Sequence, residues 1–185
     1  MKSVLLTCFT LFCSFAFAQS FKGKIQAEYI QGETPTHVVW NIDGENFNME
    51  LSGEQNGKKF HSTIAPNTQS QTLTIHSENP SGASDYSLSF AQFQGLNAGK
   101  NKSFQVSTSS ETAEIAGYQC QKYLIDAGKE SMEVWVAKDL KVDKKLMAEL
   151  LQDAPELQAL TSKNIEGFPL KLRSNTRNYT TVSVQ

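Results

Sequence analysis

Few residues in this chain are equipped for chemistry. Cys120 is one of three cysteines, and the other two, Cys8 and Cys13, fall in the first stretch of the sequence. A cysteine nucleophile needs a lowered pKa, from a helix N-terminus or a neighbouring cation. Cys120 stands mid-strand, alternating with Tyr118 and Leu124, and only Lys122 on its face could lower its pKa. The pattern reads Cys120 as a buried small hydrophobe rather than a reactive thiol. The three histidines, His37, His61 and His76, are far apart and show no His-x-His or His-Glu-x-x-His spacing. They predict no metal site. The sequence holds no Gly-x-Ser-x-Gly, no Ser-x-x-Lys and no Gly-rich phosphate loop. Glu111 and Glu114 fit a solvated strand edge better than an acid–base couple. Catalysis, a cofactor and a metal are therefore not expected.

The aromatic and apolar pattern says more. Residues 112–137 read as a β-hairpin turned at Asp126-Ala127-Gly128-Lys129, with apolar side chains on both faces. Tyr118, Cys120 and Met132 are expected on one face, and Tyr123, Ile125 and Trp135 on the other. A sheet wet on one side does not do this. Two readings fit. In one, one face packs on helices and the other meets a neighbouring layer or chain. In the other, a concave face encloses an apolar cavity that takes an acyl chain or an apolar segment. The candidate ligand-binding residues are Trp40, Phe47, Trp135, Met147 and Leu150.

The elements that would position these residues are legible in part. Phe21 to Tyr29 alternates apolar and polar residues, the mark of a half-buried strand. Thr36 to Ile42 follows, with Val38, Trp40 and Ile42 in register. Asp43-Gly44 is a hairpin turn, and Phe47, Met49 and Leu51 return from it. Ser52 to Lys59 reads as a loop or longer turn. Residues 60–110 are rich in Ser, Thr, Asn and Gln, with short strands expected at Phe60 to Ile64, Thr72 to His76, Tyr86 to Phe93 and Phe104 to Ser107. The period then changes: Leu146, Met147, Leu150, Leu151, Leu157 and Leu160 have helical spacing. Because Pro155 is tolerated only in a first helical turn, two short helices are predicted, at 143–151 and 153–161, the second capped by Asp153. A closing hairpin runs from Phe168 to Val184, turned at Ser174-Asn175. The expected fold is mainly β (α+β): one curved antiparallel sheet of about nine strands, a half-barrel with the two helices on its concave face.

Residues 1–18 have the form of a signal peptide: Lys2, an apolar run, and Ala16-Phe17-Ala18 as a small-x-small cleavage site. At about 14 residues the run is too short to span a bilayer, which needs roughly 20. The remaining 19–185 reads as one domain, exported to the periplasm or secreted. The formal net charge is −2, with no basic excess to recruit nucleic acid.

Three pieces of sequence carry a family resemblance: Glu114-Ile115-Ala116-Gly117-Tyr118-Gln119-Cys120-Gln121-Lys122-Tyr123, then Glu133-Val134-Trp135-Val136, then Glu166-Gly167-Phe168-Pro169-Leu170. With Phe21-Lys22-Gly23-Lys24-Ile25 and Val38-Val39-Trp40-Asn41-Ile42-Asp43-Gly44, the chain resembles the family known as domain of unknown function 4412, exported proteins of Bacteroidetes-type bacteria. Relatives carry basic residues after Asp43-Gly44, where this chain has Glu45-Asn46-Phe47-Asn48. The resemblance implies a fold similar to the LolA/LolB lipoprotein carriers and supplies no catalytic residues. It implies an envelope protein holding a lipid or lipidated protein. The alternative is an interaction or structural module that docks an envelope protein partner.

Overall fold

The computed structural model describes residues 20–31, 34–44, 46–96, 103–128, 130–151 and 154–185. The signal peptide expected at 1–18, the cap expected at Asp153 and the turn residue Lys129 lie outside them.

The described residues form one open antiparallel sheet of eleven strands with three short helices, against the nine strands and two helices expected. The first half is a meander: β1 (Lys22–Ile30), β2 (Pro35–Asp43), β3 (Asn46–Gln55), β4 (Lys58–Asn67), β5 (Thr72–Asn79) and β6 (Gly82–Ser89). Helix α1 (Phe90–Leu96) then leads to β7 (Gln105–Ile115), β8 (Tyr118–Asp126) and β9 (Ser131–Ala137). Helices α2 (Lys145–Leu150) and α3 (Pro155–Ser162) precede β10 (Phe168–Ser174) and β11 (Asn178–Val184). The two meanders join where β1 pairs with β11, so β6 and β7 are the sheet edges.

The extra strand length comes from turn chemistry. The stretch from Ser52 to Lys59 is not a loop, because Asn56 and Gly57 take φ of 53° and 72° and turn β3 into β4 within two residues. Ala116 and Gly117, at 50° and 83°, do the same between β7 and β8. Strand β7 is thereby much longer than the segment expected at Phe104 to Ser107. The strand expected at Tyr86 to Phe93 ends at Ser89, where the Gln92 side chain accepts from the Ser89 backbone N–H and starts α1. The two later helices are shorter than expected, since Pro155 takes the first position of α3 with Ala154 as its N-cap.

Register corrects one face assignment. The turn between β8 and β9 spans 127–130, so Asp126 pairs with Ser131 and even-numbered residues face odd-numbered ones. Lys122 pairs with Trp135, and Ile125 with Met132. Trp135 therefore lies with Cys120, and Met132 with Tyr123 and Ile125. Both faces of the hairpin are buried all the same, each in its own cluster. One cluster joins Ile25, Trp40, Phe47 and Met49 to Met147, Leu150 and Leu157. The other packs Tyr123, Val134 and Leu172 against Ala159 and Leu160. Helix α3 thus stitches the two together. At the start of β10, Gly167 has φ of 92°, and a Cβ there would stand 2.2 Å from the Ala137 carbonyl oxygen. Only glycine lets the strand approach β9 so closely.

Candidate functional site

A cavity of about 370 Å3 opens between the sheet and the helices. Its sheet wall is Val38, Trp40, Met49 and Leu51, which share one face because Trp40 pairs with Met49 and Val38 with Leu51. Its helix wall is Leu150, Leu151 and Leu157, with Phe93 from α1. Such a lining excludes water and favours hydrocarbon, and its volume lies in the range of small-molecule sites.

One end is polar. Arg177, in the turn just before β11, reaches the cavity together with Glu156 of α3, Tyr29 and Tyr179. The guanidinium grips Glu130 through Nε at 3.0 Å and Nη2 at 3.1 Å, and the same Nη2 lies 3.3 Å from Glu156 Oε2. Ser174 and Thr176 also donate to the Glu130 carboxylate, at 2.7 and 2.9 Å. Burial alone would push Glu130 up, but Arg177 and these hydroxyls outweigh it and hold it below the usual carboxylate range. Glu156 goes the other way: burial raises its pKa, and the attraction of Arg177 does not compensate. Burial also pushes the Tyr179 phenol up to about 12, though the Thr181 hydroxyl and the Trp40 indole N–H lie close enough to oppose it. Trp40 Nε1, Tyr179 OH and Thr181 Oγ1 are buried and complete no hydrogen bond of ordinary geometry.

Of the residues predicted from sequence, Trp40 and Leu150 line this cavity. Phe47 stands behind Trp40, their ring centroids 5.9 Å apart, and Met147 is buried in the same cluster. Trp135 is elsewhere, held between Lys122 and Lys171, whose ammonium groups lie 5.2 and 4.9 Å from its ring. Lys122 in turn pairs with Glu133 at 2.7 Å and Glu111 at 3.2 Å. Sequence reasoning missed Arg177, Glu130, Glu156 and the two tyrosines. Glu156 follows a proline at a helix start, a position where an acid already has the helix dipole as its reason. Arg177 belongs to a polar turn, and nothing in its neighbours marks it as buried.

The other chemically capable residues stay apart. Burial raises the Cys120 thiol to about 11, so it carries almost no thiolate near neutrality. His76 is held above its ordinary pKa by hydrogen bonds from its ring to Glu78 at 3.0 Å and Asp85 at 2.6 Å, on the open surface of β5 and β6. Among the described residues no group of three or more His, Cys, Asp or Glu side chains is placed to hold a metal ion. No helix there is long and apolar enough to cross a membrane.

A single open antiparallel sheet capped by short helices over an apolar cavity defines the class. The chain belongs to the family described as Domain of unknown function (DUF4412), whose model matches residues 21–185. No curated protein matches it. Among solved structures, the chain is similar to PNGF-II in a C2 crystal form, with 17% identity and a TM-score of 0.44 over 88% of this chain. A P21 form of PNGF-II gives 16% identity and 0.43 over the same share. The chain spans 27% and 28% of the length of those two structures.

Proposed function

We propose that this protein is a non-catalytic binding protein of the cell envelope that holds an apolar ligand, a lipid or the acyl chain of a lipidated protein, in the cavity between sheet and helices. The observation that carries this reading is the cavity itself: about 370 Å3 of space walled by Val38, Trp40, Met49, Leu51, Leu150, Leu151 and Leu157. An apolar concavity of this size falls within the range of small-molecule sites. Transfer of hydrocarbon from water at about 25 cal/mol per Å2 supplies the driving force without covalent chemistry. In this reading the sheet is a half-barrel of the lipoprotein-carrier kind, with α2 and α3 on its concave face.

The test is titration of the full chain with N-phenyl-1-naphthylamine, an uncharged probe that brightens in apolar surroundings. Saturable binding that Leu150→Trp abolishes is expected. Absence of saturable binding, or binding indifferent to Leu150→Trp, overturns the reading. A second reading, docking of an envelope protein partner, draws on the unpaired edge of β7. There a second hollow of about 450 Å3, lined by Val106, Leu124 and Met132 among others, leaves Leu124 43% exposed.

A further inference from the structure

We infer that the cavity selects amphiphiles whose head is an ammonium over those whose head is a carboxylate or phosphate. The inference rests on the cavity reading above and adds the chemistry of the head group. Among the described residues, the charged groups acting on the polar end are Arg177, Glu130 and Glu156, beside the phenols of Tyr29 and Tyr179. One guanidinium therefore meets two carboxylates. Glu130 takes Arg177 in a two-point grip from behind, and Glu156, facing the cavity, shares only Nη2. Among the described residues the cluster holds one carboxylate more than it has guanidiniums, and Glu156, the one that borders the cavity, is the less tightly held.

An incoming carboxylate or phosphate adds a third anion to this cluster and finds Arg177 already committed to Glu130 and Glu156. It must displace one of them, leaving a buried charge unpaired. An ammonium supplies the missing positive charge and donates to Glu156. The aromatic walls favour it as well. Tyr29, Trp40 and Tyr179 line the same cavity, and ring faces attract cations, ammonium groups among them. The lipophilic wall then takes the chain, and Glu156 with the phenols takes the head.

The test displaces bound N-phenyl-1-naphthylamine from the full chain with decylamine, decanol and decanoate, each below its micelle-forming concentration. Decylamine is expected to displace at about tenfold lower concentration than decanoate, with decanol between them. Glu156→Gln keeps the shape of the side chain and removes its charge. With each concentration referred to the variant's own probe affinity, it should bring the decylamine-to-decanoate ratio within about twofold. Decanoate equal to or better than decylamine, or a ratio unmoved by Glu156→Gln, overturns the inference while displacement by decanol leaves the cavity reading standing. Displacement by none of the three overturns both.

Discussion

Arg177 Nη2 lies 3.3 Å from Glu156 Oε2, and this contact ties the last hairpin of the sheet to helix α3 across the polar end of the cavity. The same guanidinium holds Glu130, just ahead of β9, at 3.0 Å, so one side chain links the start of β9, the last hairpin and α3. Arg177 and Glu156 have side-chain exposures of only 8% and 16%, and charges at that depth are stable only while paired.

Arg177→Ala strands two carboxylates in a buried setting. It is expected to cost about 3–5 kcal/mol, the range for removing one partner of a buried pair. Urea denaturation measures it directly. A loss below about 1 kcal/mol would place the cluster among solvent-screened surface pairs instead.

The two carboxylates pull the pH dependence in opposite directions. Glu130 is held below its unfolded pKa, so its contribution is present above the ordinary carboxylate range and is lost as pH falls through the lowered value. Glu156 is raised, so its contribution is full below that range and is lost as pH rises through the raised value. The stability of Glu156→Gln relative to the parent chain should therefore improve from about pH 4 to about pH 8, and that of Glu130→Gln should worsen over the same window. Denaturation curves at several pH values check this, and a flat difference for either variant contradicts it.

Cys120 is 1% exposed, with its thiol raised to about 11. In the native protein it should react with a disulfide reagent only through opening of the sheet, at a rate that urea accelerates steeply. Reaction at the speed of a free thiol without denaturant would contradict its placement between β7 and β9.

Filling the cavity should separate binding from folding. Leu151→Trp or Leu157→Phe adds volume to a space of about 370 Å3. Stability should change by less than about 2 kcal/mol, since the added atoms meet a void rather than a packed wall. Probe affinity should fall at least about tenfold. Trp135→Phe, outside the cavity, should leave that affinity unchanged.

How far the fold was legible follows from local signals. The alternation from Phe21 to Tyr29 and the Asp43-Gly44 turn stand where the sequence places them, whereas the hairpin read over 112–137 begins only at Tyr118, because Ala116-Gly117 turns β7 into β8 ahead of it. The polar strands β4 to β6 were underestimated because only one face is apolar. Ile64, Leu73 and Ile75 carry it while Thr63, Thr74 and His76 stand on the other face. Asn56-Gly57 was a readable turn within a polar run that otherwise looked like loop. Helix α1 replaced part of a strand because a short helix of Phe90 to Leu96 has too few turns to show a period. The polar end of the cavity was not legible at all. Glu130, Glu156 and Arg177 come from three elements, and only the folded sheet brings Arg177 against a partner 47 residues away. Trp40 and Leu150 were found because apolar alternation and helical spacing are local. Trp135 shares the buried cluster of Trp40, Phe47, Met147 and Leu150, but its ring sits with Lys122 and Lys171 and is not part of the cavity lining.

The most direct measurement is methyl chemical-shift mapping by NMR while decanol is added to the full chain. The cavity account predicts saturable shifts at the methyls of Leu51, Leu150, Leu151 and Leu157, with Val106 and Leu124 beside β7 unmoved. Shifts confined to Val106 and Leu124, or no saturable shifts anywhere, would contradict it.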